Sequence, residues 1–275
     1  GEAMKNTYNQ VIAKALITKV TGAEEESATW QELLKAQKEN ERVGSRCVGL
    51  VLETRPDEIN EEELIRIRRF GGTKIQIGIQ SLDDEVLRLN KRGHDSQKTR
   101  EAISLIRQMG FKIHAHWMPN LYGSNPKKDL EDFKKLFTEN SIKPDELKIY
   151  PCSLIASAEL MRYYKDGSWK PYSEEELLWL LKKVMLLVPR YCRVTRVIRD
   201  IPGTDIVDGN KKTNFRQIVE NELDKEGSRS KDIRAREIRG SSVKEVNLEL
   251  KITEYETTVS TEYFLEYVTK KYAIA

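Results

Sequence analysis

The sequence predicts an α/β fold, a partial (β/α) barrel of parallel strands with helices outside it, and three observations carry that expectation. Strand-like runs at 48–53, 74–79, 112–117 and 147–150 are separated by helical stretches. Each run is two-faced. In Lys74-Ile-Gln-Ile-Gly-Ile-Gln80 every second residue is isoleucine, so Lys74, Gln76, Gly78 and Gln80 share the opposite face. In Lys112-Ile-His-Ala-His-Trp117 the two histidines share one face, and Ile113, Ala115 and Trp117 take the other. Parallel strands covered by helices on both sides read as continuous apolar runs. Alternation between helices points instead to a curled sheet with a polar interior. A polar interior is costly unless something binds there, so the pattern is that of an enzyme or a cofactor barrel.

The elements follow in order. Residues 1–46 read as a helical segment, with Thr29-Trp-Gln-Glu32 a capping box that opens a helix to about Val43. The strand at 48–53 stops at Pro56, and Asn60 caps a helix through Phe70. The strand at 74–79 is followed by helices at 83–89 and 95–109, the second ended by Gly110. After the strand at 112–117 comes a turn-rich loop, 118–124, and then a helix at 126–138. The strand at 147–150 stops at Pro151. Ser173 and Glu176 form a capping box for a helix at 174–188. Residues 193–198 read as a strand. Residues 203–216 read as a loop, 217–227 as a helix, and 246–268 as strands that lack partners.

The domain boundaries expected are 1–46, a helical segment; 47–202, the barrel portion; 203–245, a basic linker; and 246–275, a further piece. The 275 residues are 33% charged and 39% apolar, a soluble balance. The longest apolar run, 177–188, is interrupted by Lys182 and Lys183, so no membrane span is expected. No secretory signal is visible, and the three cysteines, Cys47, Cys152 and Cys192, show neither a disulfide nor a metal spacing. A cytoplasmic setting is expected. Net charge is +3 but uneven: residues 1–64 hold 8 Lys/Arg against 13 Asp/Glu, and residues 190–240 hold 13 against 9. That asymmetry suits either a polyanion partner for the second region or a solvated face of ordinary ion pairs.

The polar face supplies the site candidates. His114 and His116 are spaced as a metal pair, as substrate or cofactor contacts, or as structural histidines; no third metal ligand accompanies them. Glu53 ends its strand, where a barrel carboxylate is functional or else pairs with an interior cation such as Lys148. Lys148 and Tyr150 share one face. The cysteines read as small buried hydrophobes. Neither a Gly-x-Gly-x-x-Gly nor a Walker signature is present, which speaks against nucleotide binding by those routes.

Longer strings resemble a known family. They are Cys47-Val-Gly-Leu-Val-Leu-Glu-Thr-Arg-Pro-Asp57, Gln76-Ile-Gly-Ile-Gln-Ser-Leu82, Asn90-Lys-Arg-Gly-His94, and Phe111-Lys-Ile-His-Ala-His-Trp-Met-Pro-Asn-Leu121. Further along stand Leu147-Lys-Ile-Tyr-Pro151, Arg193-Val-Thr-Arg-Val-Ile-Arg-Asp-Ile-Pro202, Gly209-Asn-Lys-Lys-Thr-Asn214 and Asp232-Ile-Arg-Ala-Arg-Glu-Ile238. Over about 47–255 the chain resembles the catalytic subunit of Elongator in its archaeal or bacterial form, a radical S-adenosylmethionine (SAM) protein joined to an acetyltransferase domain.

That resemblance implies a radical SAM-type barrel, a [4Fe-4S] cluster, SAM, acetyl-CoA as co-substrate, and a tRNA whose wobble uridine is carboxymethylated at C5. It also implies self-association or other Elongator subunits as partners. The family's cluster cysteines precede the first strand seen here, and this chain carries none of them. The acetyltransferase domain would open near Val246 and run past residue 275. This polypeptide is therefore expected to hold no cluster and to be inactive alone. Ser230, Asp232 and Ala235 stand where zinc-binding cysteines would be expected, which leaves zinc doubtful. Lys148, Tyr150, His114 and His116 are assigned to catalysis, and Glu53, Arg55, Gln76, Gln80 and Asn120 to cofactor binding. Arg92, His94, Arg193, Arg196, Arg199, Lys211, Lys212, Arg234, Arg236 and Arg239 are assigned to RNA. Two other readings stand beside this one. One is an RNA-binding or scaffold module without catalysis. The other is a metal-dependent hydrolase using His114, His116 and Glu53.

Overall fold

The computed structural model describes residues 27–199, 201–239 and 247–270. Contacts divide the chain into two units, Gly1–Val48 and Gly49–Ala275. The first unit contributes helix α1 (Trp30–Asn40). Its capping box forms as the sequence predicts: Glu32 N–H donates to Thr29 Oγ1 (3.3 Å) and Thr29 N–H to Glu32 Oε2 (2.7 Å). The helix buries no residue and ends three residues before Val43. The helical reading of residues 1–26 lies outside the described residues.

In the second unit the strands are β1 (Val51–Thr54), β2 (Lys74–Gln80), β3 (Lys112–Trp117), β4 (Glu146–Ile149), β5 (Leu154–Ile155), β6 (Arg193–Val197), β7 (Ile206–Asp208), β8 (Glu249–Glu256) and β9 (Thr261–Val268). The helices are α2 (Glu61–Arg69), α3 (Asp84–Leu89), α4 (Ser96–Gln108), α5 (Pro126–Thr138), α6 (Leu160–Lys165), α7 (Glu174–Leu187), α8 (Phe215–Lys225) and α9 (Ile233–Arg236). One all-parallel sheet runs β1-β2-β3-β4-β6. A crossover helix joins each strand to the next, as parallel pairing requires.

The apolar faces of the strands form the core. Ile75, Ile77, Ile79, Ile113, Ala115, Trp117, Leu147, Ile149 and Val194 are fully buried. They belong to one cluster with Leu64 and Ile67 of α2, Ala102, Ile103 and Ile106 of α4, Phe133 and Leu136 of α5, and the apolar stripes of α7 and α8. Each such aliphatic side chain stabilises by roughly 1.5–3 kcal/mol. Side-chain caps open the helices at Asn60, Asp83, Asp95, Asn125 and Ser173.

The structure corrects several expectations. β1 begins at Val51 rather than 48: Leu50 O already accepts from the Thr73 amide (2.9 Å), but the Leu50 amide is taken by a side chain, Thr73 Oγ1 (3.2 Å). The stretch 203–216 is not one loop, because β7 pairs antiparallel with β5. Strands of two and three residues are too short to show a period. The tail strands do have partners, each other. β8 and β9 form an antiparallel hairpin from Glu249↔Val268 to Glu256↔Thr261. Its turn lacks Gly and Asn. Thr257 Oγ1 holds it instead, accepting from Val259 N–H (3.2 Å) and Ser260 N–H (3.0 Å). Tyr255 and Phe264 pack against the main core, and Tyr255 stacks on Tyr191 at 3.7 Å.

Candidate functional site

The polar residues of neighbouring strands meet on the face opposite the isoleucines. In register, Glu53 lies beside Gln76, Gln76 beside His114, His114 beside Glu146, and His116 beside Lys148. Lys148 donates to Gln76 Oε1. An ammonium only donates, so the amide atom facing it is the oxygen. His116 Nε2 lies 3.0 Å from that same oxygen and must be its N–H donor. His116 Nδ1 is then the bare nitrogen, 3.6 Å from Glu53 Oε1. Lysine thus fixes glutamine, and glutamine fixes the histidine's tautomer.

His114 is fixed by a second chain of bonds. Thr195 Oγ1 donates its one proton to Leu147 O (3.2 Å), so it accepts from His114 Nε2–H at 2.9 Å. His114 Nδ1 is left buried without a hydrogen bond, 3.4 Å from Glu146 Oε2. Glu146 itself accepts from Lys74 Nζ (2.6 Å). Thr195 reaches this face because β6 carries a bulge. Leu147 pairs with Val194 but Lys148 with Arg196, and Thr195 is the extra residue. Val194 and Val197 both stay buried, while Thr195 and Arg196 are turned to the polar side. Arg196 hydrogen-bonds the Tyr150 hydroxyl. The rings of His114 and His116, and of His116 and Tyr150, are each 5.7 Å apart and edge-on.

Burial dominates the electrostatics. It pushes both imidazoles down to about 3, and the Lys148 charge adds to the push on each. Lys74, which pairs with the Glu146 carboxylate beside His114, adds a further push down on that ring. Both rings are therefore neutral at pH 7. Lys148 is lowered by burial, against the opposing pull of Glu53. The buried Asp129 carboxyl is pushed up to about 6 by burial. These shifts predict an acid-labile fold. Between the ordinary imidazole value of 6.5 and about 3 the unfolded chain binds more protons at both histidines, so stability falls as pH drops through that window. Asp129 has the opposite sign, since between 3.8 and about 6 the folded chain holds the extra proton. Asp132 and Asp145 are raised by burial too and share the sign of Asp129, while His94 is lowered and shares that of the other histidines; the large shifts of His114 and His116 set the net direction. The urea midpoint is expected to fall from pH 7 to pH 4; a midpoint that stays level or rises would contradict the buried neutral pair.

Other candidates lie apart from this network. Gln80 adopts φ +63° and folds over Gly78, where an added Cβ would meet Gln80 Nε2 at 2.8 Å. Gln80 Oε1 is buried without a hydrogen-bond partner. Arg55 pairs with Asp57 and donates to Arg92 O (3.0 Å). Asn120, at φ +67°, is buried in the loop after β3 and is held by Asp129, Cys152 O and Trp169. Arg55 and Asn120 are thus engaged in fixing loops.

The RNA candidates divide in two. The His94 ring is fully buried, with Nδ1 3.6 Å from Asp57, and Arg92 donates to Gly78 O (3.3 Å). Arg236 is buried and bonds Glu266 (2.7 Å) and Arg190 O (2.9 Å). Arg234 donates to Thr195 O, and Arg193 pairs with Glu237. These side chains are turned to the fold, which removes His94 and Arg236 from any phosphate-facing surface. Their charge is visible in the sequence, but their buried acidic and carbonyl partners are distant in it. Arg196, Arg199, Lys211, Lys212 and Arg239 are exposed; Lys212 reaches Glu174 (2.5 Å). The metal-hydrolase reading finds no support, because among the described residues no group of three or more His, Cys, Asp or Glu is arranged to hold a metal.

Sequence reasoning missed Glu146, Thr195, Asp129 and Asp132. Glu146 stands two before Lys148, so extending the alternation by one residue would have found it. Val194-Thr-Arg-Val197 breaks alternation and is itself the signal of the bulge.

Comparison with known proteins identifies the family. A family model described as the Radical SAM superfamily matches residues 18–137, and one described as the Radical_SAM C-terminal domain matches 144–225. A tRNA uridine(34) acetyltransferase of Methanocaldococcus infernus is 38% identical over 243 residues, 86% of this chain and 46% of the relative. One of Methanocaldococcus jannaschii is 39% identical over 241 residues, 86% and 44%. Elongator complex protein 3 of Homo sapiens is 33% identical over 243 residues, 87% and 44%. The chain thus spans under half the length of these relatives. The solved structure of archaeal Methanocaldococcus infernus Elp3 with an N-terminal deletion (1–46) superposes with a TM-score of 0.83 at 38% identity, covering 88% of this chain and 58% of that one. With the parallel sheet and its polar face in place, the chain belongs to the radical SAM family, in the group of the Elongator catalytic subunit.

Proposed function

We propose that this chain forms the radical SAM part of a tRNA uridine(34)-modifying enzyme, which uses SAM and acetyl-CoA to build a carboxymethyl group at C5 of the anticodon wobble uridine. The observation that carries the reading is the network across β2, β3, β4 and β6. It joins two neutral, tautomer-fixed imidazoles, a lysine of lowered pKa and Tyr150 on one face. Such a face presents fixed donors and acceptors at defined atoms: the bare Nδ1 of His116 accepts a hydrogen bond, while Lys148 and Tyr150 carry the protons that can be given.

The radical SAM family implies SAM and a four-iron cluster, and the two fit this chain differently. SAM, when bound with a cluster, supplies a carbon-centred radical. Gln80 Oε1, a buried acceptor without a donor, and the Glu53 carboxylate suit its ammonium and ribose hydroxyls. The cluster does not fit the thiols here. Cys47 is exposed, not buried as the sequence suggested, while burial pushes the thiol of Cys152 up to about 12 and raises that of Cys192 well above its ordinary value, and Cys152 and Cys192 are not spaced in sequence as cluster ligands. On the same reading the hairpin of β8 and β9 opens an acetyltransferase-like segment, and the protein works in the cytoplasm. No helix among the described residues is long and apolar enough to cross a membrane.

Binding of a uridine-34 tRNA by this chain tests the reading. Arg196, Arg199, Lys211, Lys212 and Arg239 are the exposed cations for the phosphates. Changing Lys211 and Lys212 together to glutamate is expected to weaken binding in a gel shift and to flatten the log–log salt slope by about 1–2. Unaltered affinity and slope would remove that loop from the RNA surface. Absence of any tRNA binding at low salt would overturn the reading.

A further inference from the structure

The bulge of β6 turns both Thr195 and Arg196 to the polar face, and something must hold it. Bulged residues leave the ladder, and their backbone groups need other partners. Here two arginines supply them. Arg216 of α8 donates to Val194 O (2.6 Å), and Arg234 of α9 donates to Thr195 O. Between them sits Asp232, fully buried. It accepts from Arg216 Nη2 (3.1 and 3.3 Å to its two oxygens) and from the backbone amides of Val194 (3.3 Å) and Arg234 (3.1 Å), and it shares the single proton of Ser230 Oγ (3.0 Å) with Met185 O (3.0 Å). A buried carboxylate is stable only when its charge and lone pairs are met, and these groups meet them.

We infer that Arg216, Asp232 and Arg234 are positioning residues: they lock the β6 bulge, and through Thr195 they set the tautomer of His114, while through Arg196 they place the cation beside Tyr150. The segment 230–236 thereby acts on the site without touching it. Ser230 and Asp232 are already committed to this cluster, and Ala235 offers no ligand atom, so the segment is held by an arginine–carboxylate knot rather than by a metal. The inference stands on β6 geometry and does not depend on which substrate the site takes.

Three histidines make the test direct. Imidazole nitrogen–proton NMR on the ¹⁵N-labelled chain reads the tautomer of His94, His114 and His116 separately. The unaltered protein is expected to show His114 as a single Nε2–H form. In Arg234→Lys, which keeps the charge but shortens the reach to Thr195 O, that single form is expected to give way to a tautomer mixture, with His94 unchanged. Asp232→Asn is expected to do the same; should it fail to fold, Arg234→Lys decides alone. An unchanged His114 in a folded variant overturns the inference. So does a change shared equally by His94, which would mark general loosening. Stoichiometric zinc in the purified chain, whose removal alone mixes the His114 forms, would overturn it as well.

Discussion

Asp132→Ala is expected to cost about 2–5 kcal/mol of folding stability, a large share of the roughly 5–15 kcal/mol that holds a typical domain together. Asp132 lies on α5, buried, with no arginine or lysine bonded to it. Its carboxylate accepts from Leu82 N–H (2.8 Å), Trp117 Nε1–H (2.9 Å) and Ser81 Oγ–H (3.1 Å). The serine hydroxyl can rotate to another acceptor. The amide and the indole cannot, and Trp117 is fully buried against Phe133 at 4.8 Å. Two orphaned donors at about 1–3 kcal/mol each set the scale. Part is returned, because burial already raises the Asp132 carboxyl above its ordinary value. Asn retains one acceptor oxygen, so Asp132→Asn is expected to lie between. Urea unfolding followed by tryptophan fluorescence measures both; a loss below about 1 kcal/mol for alanine would show that the loop after β2 relaxes onto other acceptors.

The effect reaches the site because α5 holds both neighbouring strand ends. Asp132 fastens Ser81 and Leu82, which follow Gln80. One turn earlier Asp129 accepts from Asn120 N–H (2.7 Å) and the Tyr172 hydroxyl (2.7 Å). Gln80 and Asn120 are the non-glycine residues with positive φ at the ends of β2 and β3, a conformation that persists only when the surroundings enforce it. Two aspartates at i and i+3 share a helix face, and each grips one of these turns.

Much of this was legible in the sequence, and the reasons are specific. The isoleucine alternation in 74–80 and the histidine alternation in 112–117 are period-2 signals strong enough to assign faces. The convergence of Glu53, Gln76, His116, Lys148 and Tyr150 is a consequence of those faces. What escaped was of two kinds. β5, β7, α6 and α9 are too short to carry a period. The functions of Arg216, Asp232, Arg234 and Arg236 depend on partners 16 to 46 residues away, and a charge in a sequence looks the same whether it meets water or a buried carboxylate. The basic composition of 228–240 therefore read as a surface, whereas half of its arginines serve the fold.

Lys148→Met is expected to abolish turnover in the full-length enzyme, by about 10²–10⁴-fold if the lysine moves a proton in the reaction, with tRNA affinity little changed. Methionine keeps the length and apolar stem of the side chain, so the fold should persist. The effect spreads because Lys148 stands at the head of the chain of fixed donors. Without its ammonium nothing forces Gln76 to present oxygen. The amide can flip, and His116 can then exchange its Nε2–H for the other tautomer. The Lys148 charge also helps depress both imidazoles. Its removal is expected to raise their titration points and move the acid unfolding of the chain to lower pH, since the gap to the unfolded imidazole narrows. Proton-detected histidine titrations on the 275-residue chain and turnover on the full-length enzyme measure the two halves separately. Turnover lost with both histidines unmoved would make Lys148 a direct participant and leave the tautomer chain without effect. Turnover retained with the histidines shifted would place the chemistry elsewhere on the face, at Tyr150 and Arg196.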